Sequence, residues 1–490
     1  MFCLSPKAIL VYNKKVKRES MAEGKIITKP FPRAPKLGRL IGPSFLILAL
    51  GLGSGEIILW PYLVANYGLG LAWGALFGLT FQYFINLEIE RYALVKGESV
   101  FVGFRRLSAW LPTWFIASTF IGFGLPGIVA ASAQLFAYFF GLSNFKYLAI
   151  GLLLLIGVIL SVGKTVYGLL EKFTQVVIIL GVPFILLLTI YLSRWHDVGT
   201  LLSGLVGRGQ GFWFLPTGIS LATFLAAFAY SGAGGNLNLT QSIYVREKGY
   251  GMGKYAQKMS SLFHNRGRQE LVLAGTPFVA NAANLKNFRV WWSKICWEHF
   301  IVFWLIGIIT ILLLTLLSYA SVFGLAGNSQ GINFLINEAG AIGGNILPIA
   351  GTLFIFMAAV MLFQTQLGIM DSSSRIMAEN AALIESVEPG RSRINLSKIY
   401  YLFVWLQIGF GVMLFMFDYY EPKTLIVFGA VINAVAMFVH IGLTTYLNRR
   451  ALPKAYRPAL WRKILLWFIF AFFGVFSVIT LISQWSKLFG

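Results

Sequence analysis

The sequence has few charged residues and very few cysteines, and each shortage excludes a class of protein. Asp, Glu, Lys and Arg make up only 12% of the 490 residues, against about 25% in a typical soluble domain. Hydrophobic residues make up 57%, so the composition excludes a soluble globular protein and indicates a membrane protein with many spans. The two cysteines, Cys3 and Cys296, are too few for a disulfide framework and are interpreted as free thiols.

Acidic residues are scarcer than basic ones, with 18 Asp and Glu against 40 Lys and Arg. A net charge of +22 can indicate nucleic-acid binding, but the placement of the basic residues argues against it. With the N-terminus in the cytoplasm, only five basic residues fall on the opposite side of the membrane, namely Lys146, Arg194, Arg208, Lys423 and Lys487. This is the asymmetry that the positive-inside rule requires. The basic residues that give the positive net charge therefore orient the protein in the membrane and contact anionic lipid head groups.

Motifs of membrane enzymes are missing. The sequence contains no His-Glu-x-x-His pair, no paired intramembrane aspartates at helical spacing and no nucleophile beside a base. The glycines at 51, 53 and 55 lack the spacing and the strand–helix context of a dinucleotide-binding loop. We therefore predict that the chain is not an enzyme and has no cofactor.

Eleven hydrophobic runs predict an all-α membrane protein with eleven transmembrane helices, called spans 1 to 11 below. Their bounds are 39–66, 70–95, 112–140, 146–163, 172–193, 217–245, 298–319, 347–371, 398–417, 424–447 and 463–485. A basic, proline-containing tail, residues 1–38, is predicted to be cytoplasmic and disordered, and residues 39–485 form the membrane domain. An odd number of spans places the C-terminus outside.

Span 1 carries an unusual centre, Gly51-Leu52-Gly53-Ser54-Gly55-Glu56. Three glycines weaken a helix, and a carboxylate at this depth is costly unless it faces protein, water or a ligand. We therefore predict two half-helices, 39–50 and 57–66, joined by an unwound segment. The alternative is that the glycines mark tight helix packing.

Span 6 is interrupted in the same way, by the glycine- and asparagine-rich stretch from Tyr230 to Asn238. The two broken spans are five positions apart, an odd number, so the second set of five enters the membrane from the opposite side. This predicts a five-plus-five inverted repeat, 39–193 and 217–447, with broken spans 1 and 6, followed by the extra span 11. Discontinuous helices in corresponding positions are typical of transporters that bind substrate at the membrane midplane.

The entry to span 1, Gly42-Pro43-Ser44-Phe45-Leu46, resembles the GPGFL motif of the Nramp metal-ion transporters. The span count and both breaks also fit, and the resemblance, which covers about residues 38–485, is closer to the divergent Nramp-related proteins of bacteria and archaea. It implies the inverted-repeat fold of the amino acid–polyamine–organocation superfamily. It also implies secondary transport of a divalent metal with protons.

The metal-binding motifs of that family are altered in this chain. The family's Asp-Pro-Gly-Asn falls on Gly53-Ser54-Gly55-Glu56, so the Asp is lost and the Asn becomes Glu56. The Met-Pro-His of its span 6 falls on Gly234-Gly235-Asn236, and the glutamine of its span 10 falls near Ala430, one turn before Asn433. The resemblance therefore implies the fold and not the specificity. Oxygen ligands alone would suit a hard cation such as Mg, Ca or Mn.

Polar residues at the breaks form the predicted site. The predicted substrate-binding residues are Gly53, Ser54, Glu56, Tyr230, Gly234, Asn236, Asn238 and Asn433. Glu56 and Asn236 are the predicted metal ligands, and Glu56 and Glu88 the predicted proton path. For each a structural alternative stays open: Glu56 could cap the second half-helix, the asparagines could cap the break, and Glu88 could belong to an interface cluster. His440, the one histidine that this layout puts more than two residues inside a span, is interpreted as a packing residue.

The sequence thus predicts a secondary active transporter of a divalent cation in the cell membrane, proton-coupled and working by alternating access. Its partners would be a small inorganic cation or solute, protons and lipids, with no nucleic acid and no obligate protein partner. One alternative is a carrier of an organic solute such as an amino acid, whose carboxylate could bind half-helix N-termini. A channel also stays open, because broken helices do not exclude it.

Overall fold

The computed structural model describes residues 28–40, 42–162, 166–257, 271–386, 391–392 and 395–489, and these residues are almost all helical. Spans 1 to 11 correspond to Pro43–Tyr67, Ala72–Lys96, Leu111–Phe139, Lys146–Val162, Val166–Leu192, Leu221–Glu247, Ala282–Val322, Pro348–Glu385, Leu396–Met416, Pro422–Ala451 and Leu460–Phe489. Shorter helices are Val100–Leu107, Trp195–Gly204 and Asn333–Asn345, with 3₁₀ turns at Leu37–Arg39, Leu69–Leu71, Gly235–Leu239, Gly251–Tyr255 and Lys454–Tyr456. Two short strands, Leu271–Val272 and Arg391–Ser392, pair antiparallel.

Eight of these helices are long and apolar enough to cross a membrane, and the other three spans differ for identifiable reasons. Span 2 carries charged residues at its inner end, span 4 is 17 residues long in the described part of the chain, and span 6 is divided by its break. Span 3 is also divided, into Leu111–Phe123 and Gly127–Phe139. This third interruption, which ends at Pro126, was not predicted from the sequence. The chain is an all-α membrane protein.

The packing of the spans follows the predicted repeat. Spans 1, 2, 3 and 4 each pack against the span five positions later, and span 8 lies along both halves of span 3. Each of these contacts therefore joins one span to its counterpart in the other repeat. This is the arrangement that two inverted halves related by a pseudo-two-fold axis produce.

Connections contact one another in two separate groups. Lys146 Nζ lies 2.8 Å from Asp418 Oδ1, joining two connections predicted on the outer side. The amide of Gly275 donates to Glu98 Oε2 at 2.9 Å, joining two predicted on the inner side. These contacts fit the alternating layout of the spans. "Inner" and "outer" below follow the predicted orientation, which stays a prediction.

Residues 28–38 differ from the predicted disordered tail. Phe31 is 1% exposed, and its ring makes edge contacts with Phe278 and Phe288, with ring centroids 5.3 and 6.0 Å apart. The prediction is wrong at this end of the tail, because one aromatic side chain is buried against the inner connections. The remainder of the predicted tail, residues 1–27, lies outside the described residues.

A buried carboxyl group on the outer side predicts a pH-dependent stability. Glu338, in the helix Asn333–Asn345 between spans 7 and 8, is 1% exposed, and its Oε2 accepts from Ser318 Oγ at 2.9 Å. Burial raises the pKa of Glu338 from 4.5 to about 8, against the lowering effect of that hydrogen bond. Between pH 4.5 and about pH 8, Glu338 therefore keeps its proton in the folded protein and has lost it in the unfolded chain. This contribution to stability is complete below pH 4.5 and is lost as the pH rises through about 8.

We expect Glu338→Gln to remove this decline. Melting temperatures of both proteins, measured across the pH interval from 5 to 8, should converge at low pH and separate at high pH, with the variant more stable there. Parallel curves would contradict the assignment.

Candidate functional site

The centre of span 1 is interrupted, but not in the predicted way. The α-helix Pro43–Gly51 ends in a short turn, continues as a π-helical turn over Ser54–Leu59, and returns to α-helix at Trp60–Tyr67. Leu52 and Gly53 keep right-handed helical backbone angles. The predicted interruption is present, but its form differs: the backbone stays helical and widens into a π-turn in place of an unwound segment, and such turns are often found at functional sites.

The glycines of span 1 serve close approach. A Cβ atom on Gly55 would lie 1.7 Å from the carbonyl oxygen of Tyr230, and one on Gly51 would lie 2.8 Å from the backbone of Gly232. Trp60 Nε1 also donates to Ser231 Oγ at 3.0 Å. The middle of span 1 is thus pressed directly against the break of span 6. The alternative that the glycines mark tight packing holds for span 1.

Span 6 has a true break. Its first helix ends at Ala229, and its second begins at Thr240 after a 3₁₀ turn. Gly234 and Gly235 have φ angles of +70° and +50°, a region that favours glycine. The glycine pair therefore allows the chain to leave the helix here.

Side chains from other spans satisfy the backbone groups freed at this break. Gln82 of span 2 donates through Nε2 to the Ala229 carbonyl at 2.9 Å and accepts from the Gly234 amide at 3.0 Å. His440 of span 10 donates through Nε2 to the Gly235 carbonyl at 3.0 Å. His440 is thus more than a packing residue, because it holds the break in place.

We expect Gln82→Leu to destabilise the protein. Leucine leaves one buried carbonyl and one buried amide unpaired, and each such group costs about 1–3 kcal/mol. A melting temperature well below that of wild type checks this, with Gln82→Glu intermediate because the acceptor for the Gly234 amide is kept. A Leu variant as stable as wild type would show that other groups satisfy the break.

Glu56 is completely buried in the π-turn of span 1. Neither of its carboxylate oxygens has a hydrogen-bond partner among the described residues. It therefore faces protein and not the acyl chains, and no cap of its own helix uses it. A buried carboxylate without a partner is costly, which makes it a candidate for binding a cation or a proton.

The predicted residues of span 6 have different surroundings. Asn236 donates to Ser118 Oγ at 2.8 Å and to Thr119 Oγ1 at 3.0 Å, and its Oδ1 accepts no hydrogen bond within the described ranges. Asn238 is fully buried, and neither side-chain atom has a partner there. Two buried amide oxygens are thus open beside the break.

Tyr230 and Asn433 are hydrogen-bonded to each other beside the break. Asn433 Nδ2 donates to the Tyr230 hydroxyl at 2.8 Å and to the Gly122 carbonyl at 2.9 Å. A cavity of about 10 Å³, lined in part by Tyr230, Gly122 and Gln366, has room for about one water molecule. A wider recess of about 390 Å³ opens on the outer side, lined in part by Gln134 and Lys423.

The predicted site is therefore assembled in part. Gly234, Tyr230 and Asn433 surround the break of span 6, whereas Gly53 faces Thr365 of span 8, with 2.6 Å between its Cβ position and that side chain. Ser54, beside it, is 3% exposed. In this conformation no hydrogen bond joins Glu56 to either asparagine. Within the described ranges no three His, Cys, Asp or Glu side chains could together hold a metal ion.

Glu88 belongs to an ion-pair cluster. Its Oε1 accepts from Arg462 Nε at 2.7 Å, and its Oε2 accepts from Arg91 Nε at 2.8 Å and from Asn448 Nδ2 at 3.3 Å. Both oxygens are thus occupied, which matches the interface alternative. A role in the proton path stays a prediction, and these contacts do not favour it.

A second buried polar group, which was not predicted from the sequence, is formed by Ser44, Glu298 and His299. The predicted span 7 began at residue 298, so Glu298 and His299 were placed at the membrane surface. The helix instead starts at Ala282 and carries them in its interior, 4% and 0% exposed. The adjacent acid and imidazole ahead of an apolar run were the available signal.

No protein-family model and no curated protein sequence matches the chain. Among solved structures, a mutant of the Eremococcus coleocola manganese transporter is similar, with 13% identity, a TM-score of 0.67, and coverage of 95% of this chain and 92% of that one. The same transporter in complex with an aromatic bis-isothiourea compound has a TM-score of 0.65, with the same identity and coverage. Mhp1, a nucleobase-cation-symport-1 family transporter in a closed conformation, has 14% identity and a TM-score of 0.51, over 94% and 93% of the two chains. The chain therefore has the fold of these membrane transporters.

Proposed function

We propose that the protein is a secondary active transporter of a divalent metal cation, coupled to protons, with Glu56 as the charged group of its binding site. The observation that carries the proposal is the carboxylate itself, fully buried without a partner where span 1 presses on the break of span 6. A cation at this carboxylate would supply the missing counter-charge. The similar fold of a manganese transporter from Eremococcus coleocola supports the same proposal.

The donor set favours a hard, partly hydrated ion. The open groups near the breaks are oxygens, from Glu56, Asn236 and Asn238, and Mg²⁺, Ca²⁺ and Mn²⁺ prefer oxygen ligands. One carboxylate is too little for a closed cage, so water would complete the coordination, as is usual for Mg²⁺. Asn236 Oδ1 would join Glu56 only in another conformation of the transport cycle.

The small cavity beside Tyr230 also bears on substrate size. About 10 Å³ admits a particle the size of water, and neither Glu56 nor Asn236 lines this cavity. The organic-solute alternative would require this region to open.

We further propose that the protein lies in the cell membrane with its N-terminus in the cytoplasm and its C-terminus outside.

Uptake into proteoliposomes tests the proposal. Mn²⁺, Mg²⁺, Ca²⁺ and a set of amino acids are compared with and without an imposed pH gradient. We expect saturable uptake of at least one divalent cation, increased by an inward proton gradient. Saturable amino-acid uptake without metal uptake would favour the alternative, and a flux that does not saturate would indicate a channel.

A further inference from the structure

A buried chain of three side chains joins span 1 to span 7 at the inner end of span 1. Ser44 Oγ lies 2.5 Å from Glu298 Oε2 and 2.7 Å from His299 Nδ1. The two ends of the chain, Glu298 Oε1 and His299 Nε2, have no hydrogen-bond partner in the part of the protein that the structure describes.

Ser44 has one hydroxyl hydrogen and two neighbours that can each donate or accept. With Glu298 ionised, Ser44 donates to it and accepts from His299 Nδ1–H. With Glu298 protonated, the carboxyl group donates to Ser44, which donates in turn to the bare Nδ1. The two arrangements differ by one proton on Glu298 and by the tautomer of His299.

We propose that His299, Ser44 and Glu298 form a proton relay. A proton binds at His299 Nε2, the Nδ1 proton passes to Ser44 Oγ, and the Ser44 hydroxyl proton passes to Glu298 Oε2. One proton is gained in total, and the imidazole ends neutral. Assigning this proton to the transport cycle rests on the proposed function, but the relay itself does not.

The order of the three groups excludes a hydrolytic role. In a Ser-His-acid triad the imidazole lies between the hydroxyl and the carboxylate. Here the hydroxyl lies between the imidazole and the carboxylate. The Glu298 carboxylate therefore does not orient the His299 imidazole as a general base for the Ser44 hydroxyl. The arrangement suits transfer of a proton through the hydroxyl.

The relay is in contact with the break of span 6. The His299 ring stacks on Phe303 with centroids 4.7 Å apart and on Tyr83 with centroids 5.4 Å apart. Phe303 Cζ lies 2.9 Å from the Cβ position of Gly232, inside the break. His299 also directly precedes the π-helical turn Phe300–Leu305. A change in the protonation of the His299 imidazole can therefore affect the break of span 6 through the ring of Phe303.

Titratable and charged groups face the relay from several spans. They are Tyr83 and Glu90 of span 2, Lys248 at the end of span 6, Cys296 of span 7 and Arg462 of span 11. Glu90 interacts electrostatically with Glu298, and its Oε1 accepts from Gln241 Nε2. The variants below leave all of these groups unchanged.

Nitrogen-15 NMR of the imidazoles tests the relay in substrate-free protein. The chain has 4 histidines, so few signals need assignment, and His299→Gln identifies the relevant one. As the pH is lowered from about 8 to about 5, the range where histidine ordinarily titrates, we expect His299 to change from the Nδ1–H to the Nε2–H tautomer. His440 is the internal control, because its Nε2 donates to a carbonyl and should stay protonated throughout.

The relay predicts that this tautomer change is lost in Glu298→Gln and in Ser44→Ala, two independent variants. A wild-type His299 that keeps one tautomer across the range, or a change that persists in both variants, would overturn the proposal. In proteoliposomes, Ser44→Ala should lose the stimulation of metal uptake by a proton gradient. Retained stimulation in that variant would overturn the link to transport. Absence of any wild-type metal uptake would instead count against the proposed function, while the NMR result still decides the relay.

Discussion

Glu56→Gln is expected to weaken uptake of the divalent cation strongly, through a loss of apparent affinity, while the protein stays folded. Glutamine keeps the shape of the side chain but removes its charge, and an interaction with a charged group is worth about 1.5–3 kcal/mol. Since 1.4 kcal/mol corresponds to a factor of ten, the apparent affinity should fall about 10- to 100-fold. Uptake in proteoliposomes at the wild-type half-saturating concentration measures this.

The stability of the same variant separates function from structure. The Glu56 carboxylate is buried without a partner, so replacing it with a neutral amide should not lower the melting temperature and could raise it. Glu385→Gln is the matched control, because the same chemical change falls on an exposed position at the inner end of span 8 and should leave uptake unchanged. Wild-type uptake by Glu56→Gln would reject the assignment of the site.

Gly55→Ala is expected to cause the largest loss of stability among single methyl additions. The new Cβ would lie 1.7 Å from the Tyr230 carbonyl oxygen, and a backbone atom cannot rotate away as a side chain can. Overpacking typically costs about 1–3 kcal/mol, occasionally more, and this contact belongs at the upper end. The melting temperature and the yield of monodisperse protein measure the effect.

Gly151→Ala is the control for that experiment. Gly151 lies in the helix of span 4, and a Cβ there meets nothing within 4 Å. Alanine at such a position is favoured by about 0.5–1 kcal/mol in a helix, so stability should be unchanged or slightly higher. If Gly55→Ala were as stable as Gly151→Ala, spans 1 and 6 would not be in the contact described here.

The overall architecture could be predicted because it depends on strong, local signals. Long apolar runs give the spans, and the distribution of lysine and arginine gives their alternation. The break of span 6 was also within reach, since the pair Gly234-Gly235 supplies the positive φ angles that a turn needs. These features depend on residues close together in the chain.

The details of the site depend on contacts that the sequence does not show. The glycines of span 1 could equally have served unwinding or close approach, and only the position of Tyr230 and Gly232 decides between them. Likewise, Asn236 looked like a ligand, yet its amide nitrogen is used by Ser118 and Thr119 of span 3. Local composition does not reveal which partner will be nearby.

The central claim is that Glu56 supplies the charge that binds the transported cation where spans 1 and 6 meet. Anomalous X-ray scattering from crystals soaked in Mn²⁺ tests it most directly. The account predicts a Mn²⁺ peak within bonding distance of a Glu56 carboxylate oxygen, and no peak there in Glu56→Gln. A Mn²⁺ ion bound elsewhere in a protein that transports Mn²⁺, with Glu56 making no contact to it, would contradict the account.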